Sequence, residues 1–248
     1  MRIVHPSAKA FAKAMESVWN IIDEGVFKIT KQGMNLMAMD PSQISMIVFN
    51  MPKESFFEFD VENDISLGLD IDYLKRVLKR AKTTETVELS VEDNKLKLEF
   101  KTEKTSRKFL IPLLDLTEGI SREPAVEYSD YIVIQSEAIK DILGDASIIA
   151  NYIKFILTPD GLEAFARSES GVVEEKFEKD SDIVSEINVE SGAASMYPIQ
   201  YLNDILKATR KTDNVKIYLA TNKPLKMEYT LEGAQIRYYL APRLEDVE

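Results

Sequence analysis

The stretches Asp72-Tyr-Leu-Lys-Arg-Val-Leu-Lys-Arg-Ala-Lys-Thr-Thr-Glu-Thr-Val-Glu-Leu89 and Gln200-Tyr-Leu-Asn-Asp-Ile-Leu-Lys-Ala-Thr-Arg-Lys-Thr-Asp-Asn-Val-Lys-Ile217 are one segment written twice, aligned without a gap. Tyr73 matches Tyr201, Leu74 matches Leu202, Leu78 matches Leu206, Lys79 matches Lys207 and Val87 matches Val215. In the first copy Leu74, Val77, Leu78 and Ala81 recur at helical spacing, which predicts a helix of about ten residues with a single apolar stripe. The remaining surface of that helix is cationic: Lys75, Arg76, Lys79, Arg80 and Lys82. Like charges three and four residues apart repel by about 0.2–0.5 kcal/mol per pair, so folding alone does not call for them. The second copy keeps the stripe (Leu202, Ile205, Leu206, Thr209) and a thinner charge, Lys207, Arg210 and Lys211.

On a single helix a run of lysines reads as a solvated face. Its recurrence in a repeat gives it weight, because the chain as a whole is acidic: 31 Lys and Arg stand against 42 Asp and Glu, for a formal charge of −11. A protein that held nucleic acid by general attraction would be basic, since phosphate neutralisation supplies most non-specific affinity. Any such contact here is therefore local and weak. A chain of 248 residues, 45% apolar, can build one large or two ordinary domains with their own cores. No apolar run approaches the roughly 18 residues of a membrane span. Met1 to Phe11, broken by Arg2, His5, Pro6 and Lys9, does not read as a secretory leader. The absence of cysteine removes disulfides, thiolate metal sites and cysteine nucleophiles, and fits a cytoplasmic setting.

Along the chain, Arg2 to Val4 reads as a strand and Ser7 as the cap of a helix from Lys9 to Ile22, with Phe11, Met15, Val18 and Ile22 inward. Trp19 beside that stripe reads as packing, and the lone His5 before a proline as structural. Val26–Thr30 and Met34–Met39 alternate around Lys31-Gln32-Gly33 as a hairpin. Ile153–Leu157 and Leu162–Ala166, around Thr158 to Gly161, form its counterpart, and Gly33 and Gly161 stand apart by the interval that separates Tyr73 from Tyr201. Ile44 to Asn50 is an apolar strand. Thr86–Ser90 with Lys95–Phe100, and Asn214–Ala220 with Leu225–Leu231, are a second pair of matching hairpins. Tyr131–Ile134 leads into a helix from Ser136 to about Ala150, with Ile139, Ile142, Leu143 and Ala146 inward and Lys140 outward, and Gln235–Leu240 is the closing strand. Each half reads strand, helix, strands, helix, strands. The expected organisation is α+β: a domain at 1–116, an aperiodic connector at 117–127, and a similar domain at 128–248.

Two strands carry opposite signs. Lys104 to Ile111 bears Lys104, Arg107 and Lys108 ahead of Phe109, whereas Val172 to Lys179 bears Glu174, Glu175 and Glu178. They occupy positions that the repeat does not equate, which suits a head-to-tail contact that closes into a ring or runs on as a filament. Charge that protects edge strands from aggregation is the other reading of the same residues.

With Asp23-Glu24, Ala38-Met39-Asp40-Pro41-Ser42, Tyr73-Leu74 through Val77-Leu78-Lys79, Pro112-Leu113-Leu114-Asp115, Pro224-Leu225-Lys226-Met227-Glu228-Tyr229 and Tyr239-Leu240-Ala241-Pro242-Arg243 in this order, the chain resembles the sliding clamps of archaea and eukaryotes, the proliferating cell nuclear antigen family, along essentially its whole length. The resemblance implies the DNA clamp fold: two similar domains with antiparallel sheets outside and two helices each inside, three subunits forming a pseudo-six-fold ring around duplex DNA. It implies that Lys9, Lys13, Lys75, Arg76, Lys79, Lys82, Lys140, Lys207, Arg210 and Lys211 meet phosphate without sequence preference. Lys104, Arg107, Lys108 and Phe109 of one subunit would join Glu174, Glu175 and Glu178 of the next. Partner peptides would dock on Met39, Ile44, Ile120, Pro224, Tyr239, Ala241 and Pro242. The partners so implied are DNA polymerase, clamp loader, flap endonuclease and DNA ligase, recruited through short motifs, with sister copies in a homotrimer or heterotrimer. The setting is the cytoplasm around the nucleoid, or the nucleus for a eukaryotic source.

Three departures stand out. The connector offers only Ile120 as an apolar side chain between Thr117 and Glu123, Gly144 stands where a basic residue is usual, and Gln200 stands where relatives carry arginine. An enzyme would need a nucleophile, a metal set or a phosphate-cradling glycine loop, and the sequence has no such arrangement, so no catalytic residue, metal or cofactor is expected. Asp40, between Met39 and Pro41, reads as a turn residue. A checkpoint-type clamp or a scaffold that never touches DNA shares the fold; the terminal Ala-Pro-Arg pattern and the lack of long insertions weigh against it.

Overall fold

The computed structural model describes residues 1–117, 119 and 122–244. The chain divides into two compact units, one of Met1–Arg122 with Thr230–Ile236, the other of Glu123–Tyr229 with the chain from Arg237 onward.

In the first unit β1 (Arg2–His5) leads to α1 (Ala8–Trp19), then β2 (Glu24–Thr30), β3 (Gly33–Met39), β4 (Ser45–Pro52), a one-turn 3-10 helix (Lys53–Ser55), β5 (Glu58–Asp60) and β6 (Ile65–Asp70). After α2 (Ile71–Leu78) come β7 (Thr86–Glu92), β8 (Lys95–Lys101) and β9 (Ser106–Pro112). Two antiparallel runs of strands result, in the orders β5-β1-β7-β8-β9 and β4-β3-β2-β6. The second unit repeats the plan. Its elements are β10 (Asp130–Gln135), α3 (Ser136–Ile149), β11 (Tyr152–Thr158), β12 (Gly161–Ser168), β13 (Gly171–Glu178), β14 (Val184–Asn188), β15 (Ala193–Pro198), α4 (Ile199–Leu206), β16 (Asn214–Leu219) and β17 (Leu225–Leu231). Here the orders are β14-β10-β16-β17 and β13-β12-β11-β15. β18 (Ala234–Leu240) closes the described chain.

The helices form where the stripes predict. Ser7 Oγ accepts from Ala10 N at 3.2 Å to cap α1, and Asp70 Oδ1 accepts from Tyr73 N at 2.8 Å to cap α2. Phe11, Met15 and Val18 of α1 and Leu74, Val77 and Leu78 of α2 are buried. Helix α2 is shorter than the stripe suggests. Past Leu78 the chain tightens into turns, Arg80 N donating to Val77 O at 2.9 Å and Ala81 N to Leu78 O at 3.0 Å, so Arg80 and Lys82 follow the helix rather than lie on it. The strand expected to begin at Lys104 begins at Ser106. Thr102 Oγ1 accepts from the backbone N–H of both Lys104 and Thr105, holding Lys104 in the turn before β9.

The repeat extends to backbone strain. Gly33 and Gly161 both sit at positive φ, 149° and 148°, and a Cβ there would lie 2.3 Å from the Met51 carbonyl oxygen and 2.1 Å from that of Phe177. Only glycine fits either hairpin. Asp40, 5% exposed, accepts from the backbone N–H of Ser42, Ile44 and Ser45 at 3.0, 2.7 and 2.6 Å, and so builds the turn between β3 and β4. His5 is buried between Phe11 and Phe56, its Nδ1 tied to the backbone of Ser7. Burial pulls its pKa down, as expected of a packed structural histidine.

Candidate nucleic-acid interface and docking surfaces

Helix α1 is buried on most of its circumference, leaving Lys9, Lys13 and Glu16 as the accessible stripe at i, i+4 and i+7. Lys13 Nζ donates to Glu16 Oε2 at 2.7 Å. Helix α1 packs on α2, whose half-buried Lys75 lies 3.9 Å from Asp72 and whose exposed Arg76 stands over the Tyr73 ring. Lys79 caps α2, and it and Lys82 are exposed. The first unit therefore gathers Lys9, Lys13, Lys75, Arg76, Lys79 and Lys82 on two packed helices and the turn that follows them. The ion pairs at their edges are partly solvent-accessible and within a turn of one another, so each contributes at most about 1 kcal/mol.

The second unit is built differently. At the positions one repeat beyond Lys9 and Lys13, α3 carries Glu137 and Asp141, and Gly144 and Asp145 are exposed on the same helix. Lys140, expected outward, is half-buried and donates to the backbone carbonyl of Thr209 at 2.7 Å, fastening α3 to the turn after α4. Lys207, Arg210 and Lys211 are exposed there. Lys211 Nζ pairs with Glu137, and Arg210 N donates to Asp213 at 2.7 Å. Of the four cations expected to meet phosphate in this unit, the exposed three thus follow α4, while the accessible stripe of α3 is acidic.

β9 and β13 are terminal strands in the orders given above. On β9, Arg107 turns inward. Its Nη2 donates to Glu85 Oε1 and Oε2 at 2.7 and 2.6 Å and to the Arg80 carbonyl at 3.0 Å, and its guanidinium lies over the Phe100 ring. Phe109 packs edge-on against Phe100, whereas Lys108 is exposed and 3.2 Å from Glu92. On β13, Glu174 and Glu178 share a face with Lys176, and Phe177 is buried on the other. Glu175 also lies on that other face and meets Asp141 and Asp145 of α3; burial and these two carboxylates push its pKa up. Sequence reading missed Asp141 and Asp145 because they reach the strand from a helix some thirty residues earlier. Their i, i+4 spacing on α3 was the available signal.

Among the expected docking residues, Met39 ends β3 and Ile44 sits half-buried in the Asp40 turn of the first unit. Ile120 lies outside the described residues. In the second unit Pro224 is half-buried, its carbonyl accepting from Tyr128 Oη at 2.8 Å, and the preceding Lys223 carbonyl accepts from Tyr197 Oη at 3.0 Å. The Tyr239 ring is buried and its hydroxyl donates to Glu123 Oε2 at 2.5 Å. Ala241 and Pro242 follow β18, half-buried, before Arg243 N donates to the Met196 carbonyl at 2.8 Å. Among the described residues no group of three or more His, Cys, Asp or Glu is placed to hold a metal ion, and no helix is long and apolar enough to cross a membrane.

Comparison with known proteins gives the family and the fold. Residues 4–116 match the family model "Proliferating cell nuclear antigen, N-terminal domain" and residues 122–243 the model "Proliferating cell nuclear antigen, C-terminal domain". The DNA polymerase sliding clamp of Thermococcus gammatolerans is 34% identical over 246 residues, 98% of each chain. The crystal structure of PCNA from Thermococcus kodakaraensis superposes with a TM-score of 0.92 at 25% identity, covering 98% of this chain and 99% of that one. A structure of A. fulgidus PCNA bound to the C-terminal region of FEN-1 shares the fold, with a TM-score of 0.88 at 24% identity over 99% of both chains.

Proposed function

The chain belongs to the proliferating cell nuclear antigen family, and on that premise we propose that it is a sliding clamp subunit, one of three in a ring that encircles duplex DNA and tethers DNA polymerase and other replication and repair enzymes. The observation that supports the reading is that Lys9, Lys13, Lys75, Arg76, Lys79 and Lys82 lie on two packed helices and the turn after them, in a chain whose net charge is −11. A closed ring keeps its DNA by topology, so phosphate contacts need only be weak and indifferent to sequence, and a negative exterior repels DNA from the outer surface. Stronger contacts would hinder sliding.

Ring closure follows from the terminal strands. The β9 side presents Lys104 and Lys108 with Phe109, and the β13 side presents Glu174, Glu178 and the Glu175, Asp141, Asp145 cluster, whose mutual repulsion a neighbour's cations would relieve. Such a contact is heterologous, and three copies with the right rotation close it. Arg107, engaged with Glu85 inside its own unit, stiffens the strand. The subunits are three copies of this chain, or this chain with sister clamp subunits. Partner enzymes dock short peptide motifs on Met39 and Ile44 of the first unit and on Pro224, Tyr239, Ala241 and Pro242 of the second. The clamp does no chemistry of its own and works wherever the chromosome is replicated, in the cytoplasm of a cell without a nucleus.

Light scattering tests the assembly. A mass three times the 28.2 kDa of the chain is expected, for the chain alone or on mixing with sister subunits from the same source. A monomer under both conditions would contradict the ring.

A further inference from the structure

The connector leaves a chemical trace at its C-terminal end. Glu123 Oε1 accepts from Arg237 Nη2 at 2.7 Å, and Oε2 accepts from Arg237 Nε at 3.0 Å and from Tyr239 Oη at 2.5 Å. This is the parallel, charge-assisted fork that fixes both position and orientation. All three groups are part-buried, and burial would raise the Glu123 pKa, but the bonds from Arg237 and Tyr239 outweigh it and hold the carboxyl below its ordinary range. Five residues on, Tyr128 Oη donates to the Pro224 carbonyl at 2.8 Å, and its ring leans on Tyr218. Between these two anchorages Val126 N donates to the Pro124 carbonyl at 3.0 Å, a tight turn that takes up slack.

We propose that Glu123 and Tyr128 are positioning residues that pin residues 122–128 to the strand and loop carrying Tyr239 and Pro224, and thereby shape the second unit's part of the docking surface before a partner arrives. The inference rests on the docking reading above. Its consequences are specific. The hydroxyl of Tyr239 is committed to Glu123, so only its ring is offered to a peptide. The carbonyls of Pro224 and Lys223 are held by side-chain hydroxyls, those of Tyr128 and Tyr197. A surface ordered in advance spares an arriving peptide the cost of ordering it.

The test uses the full-length assembled clamp with a synthetic peptide copying the C-terminal region of FEN-1 as probe, read by calorimetry and by amide hydrogen exchange. Glu123→Ala should weaken peptide binding by about tenfold and speed exchange at Ala125 to Tyr128, while amides in β11 and β12 keep their protection. Glu123→Gln, which keeps an acceptor for Tyr239 and loses the charge, should recover part of the affinity. Tyr128→Phe should cost about threefold in affinity and speed exchange at Lys223 and Leu225. Unchanged affinity in Glu123→Ala, or exchange at Ala125 to Tyr128 as fast in the wild type as in the variant, would overturn the proposal. Failure of the wild type to bind the probe would overturn the docking reading instead, and the exchange result would still decide whether the pin exists.

Discussion

The guanidinium of Arg107 on β9 forks onto the carboxylate of Glu85, whose side chain is 3% exposed, with Nη2 at 2.7 and 2.6 Å from its two oxygens. The same glutamate accepts from Lys82 N at 2.9 Å through its side chain and from Ala8 N at 2.7 Å through its backbone carbonyl. One residue thus joins the start of α1, the turn after α2 and a terminal strand. Burial would raise its pKa, but the Arg107 and Lys82 bonds outweigh burial and lower it. Replacing Glu85 with Ala leaves Arg107 and the Lys82 N–H to find other partners, while the bond from Ala8 N to the backbone carbonyl survives. We expect a loss of about 2–3 kcal/mol in urea unfolding, and a smaller loss for Glu85→Gln.

Glycine at the two hairpins gives a paired prediction. Gly33→Ala and Gly161→Ala each drive a methyl into a carbonyl oxygen at a backbone angle that disfavours side chains. Each should destabilise the chain by about 2–4 kcal/mol in denaturant unfolding, the two losses being similar because the repeat places both glycines in the same turn.

How far the sequence reveals this molecule depends on the range of the interactions. The duplication, the hairpins and the helix stripes are local or periodic, and Gly33 with Gly161 and Tyr73 with Tyr201 are enough to align the halves. The Asp40 turn and the buried His5 are also read from immediate neighbours. The rest depends on partners distant in the chain. Nothing near Arg107 announces Glu85 as its partner, and nothing near Lys140 announces the Thr209 carbonyl that its ammonium bonds. Charge counting grouped Glu175 with Glu174 and Glu178, although strand alternation alone turns it to the opposite face, towards Asp141 and Asp145. The early end of α2 reflects turn geometry beyond Leu78, which a stripe ending at Ala81 cannot report.

Charge reversal separates the two units. Lys79→Glu with Lys207→Glu should leave assembly intact and impair loading on DNA and stimulation of polymerase. Because six of the ten cations expected to meet phosphate lie in the first unit, Lys79→Glu alone should account for most of the loss. Primer-extension length at low and physiological salt is the readout, and the variant's deficit should narrow as salt rises, because the wild type has more phosphate contacts to lose to screening.

Acid titration tests the ion pairs that hold the strands of the first unit. Burial would raise the Glu88 pKa, but bonds from Lys101 at 2.9 Å and Arg2 at 3.1 Å outweigh it, and the carboxyl is held low. A depressed native pKa contributes stability that is complete above the unfolded value, about 4.3, and is lost as pH falls through the native value. The urea midpoint should therefore be flat from pH 7 to about 5 and fall below that. In Glu88→Gln the midpoint should start lower and fall less steeply.

Retention on DNA of different topology addresses the ring most directly. The clamp, with any sister subunits it requires, is loaded by its clamp loader onto a nicked circular plasmid and washed in high salt, and half the sample is then linearised. Encirclement with weak phosphate contacts predicts that protein stays on the circles and is lost from the linear molecules. Equal retention on both forms, or complete loss from both, would contradict it.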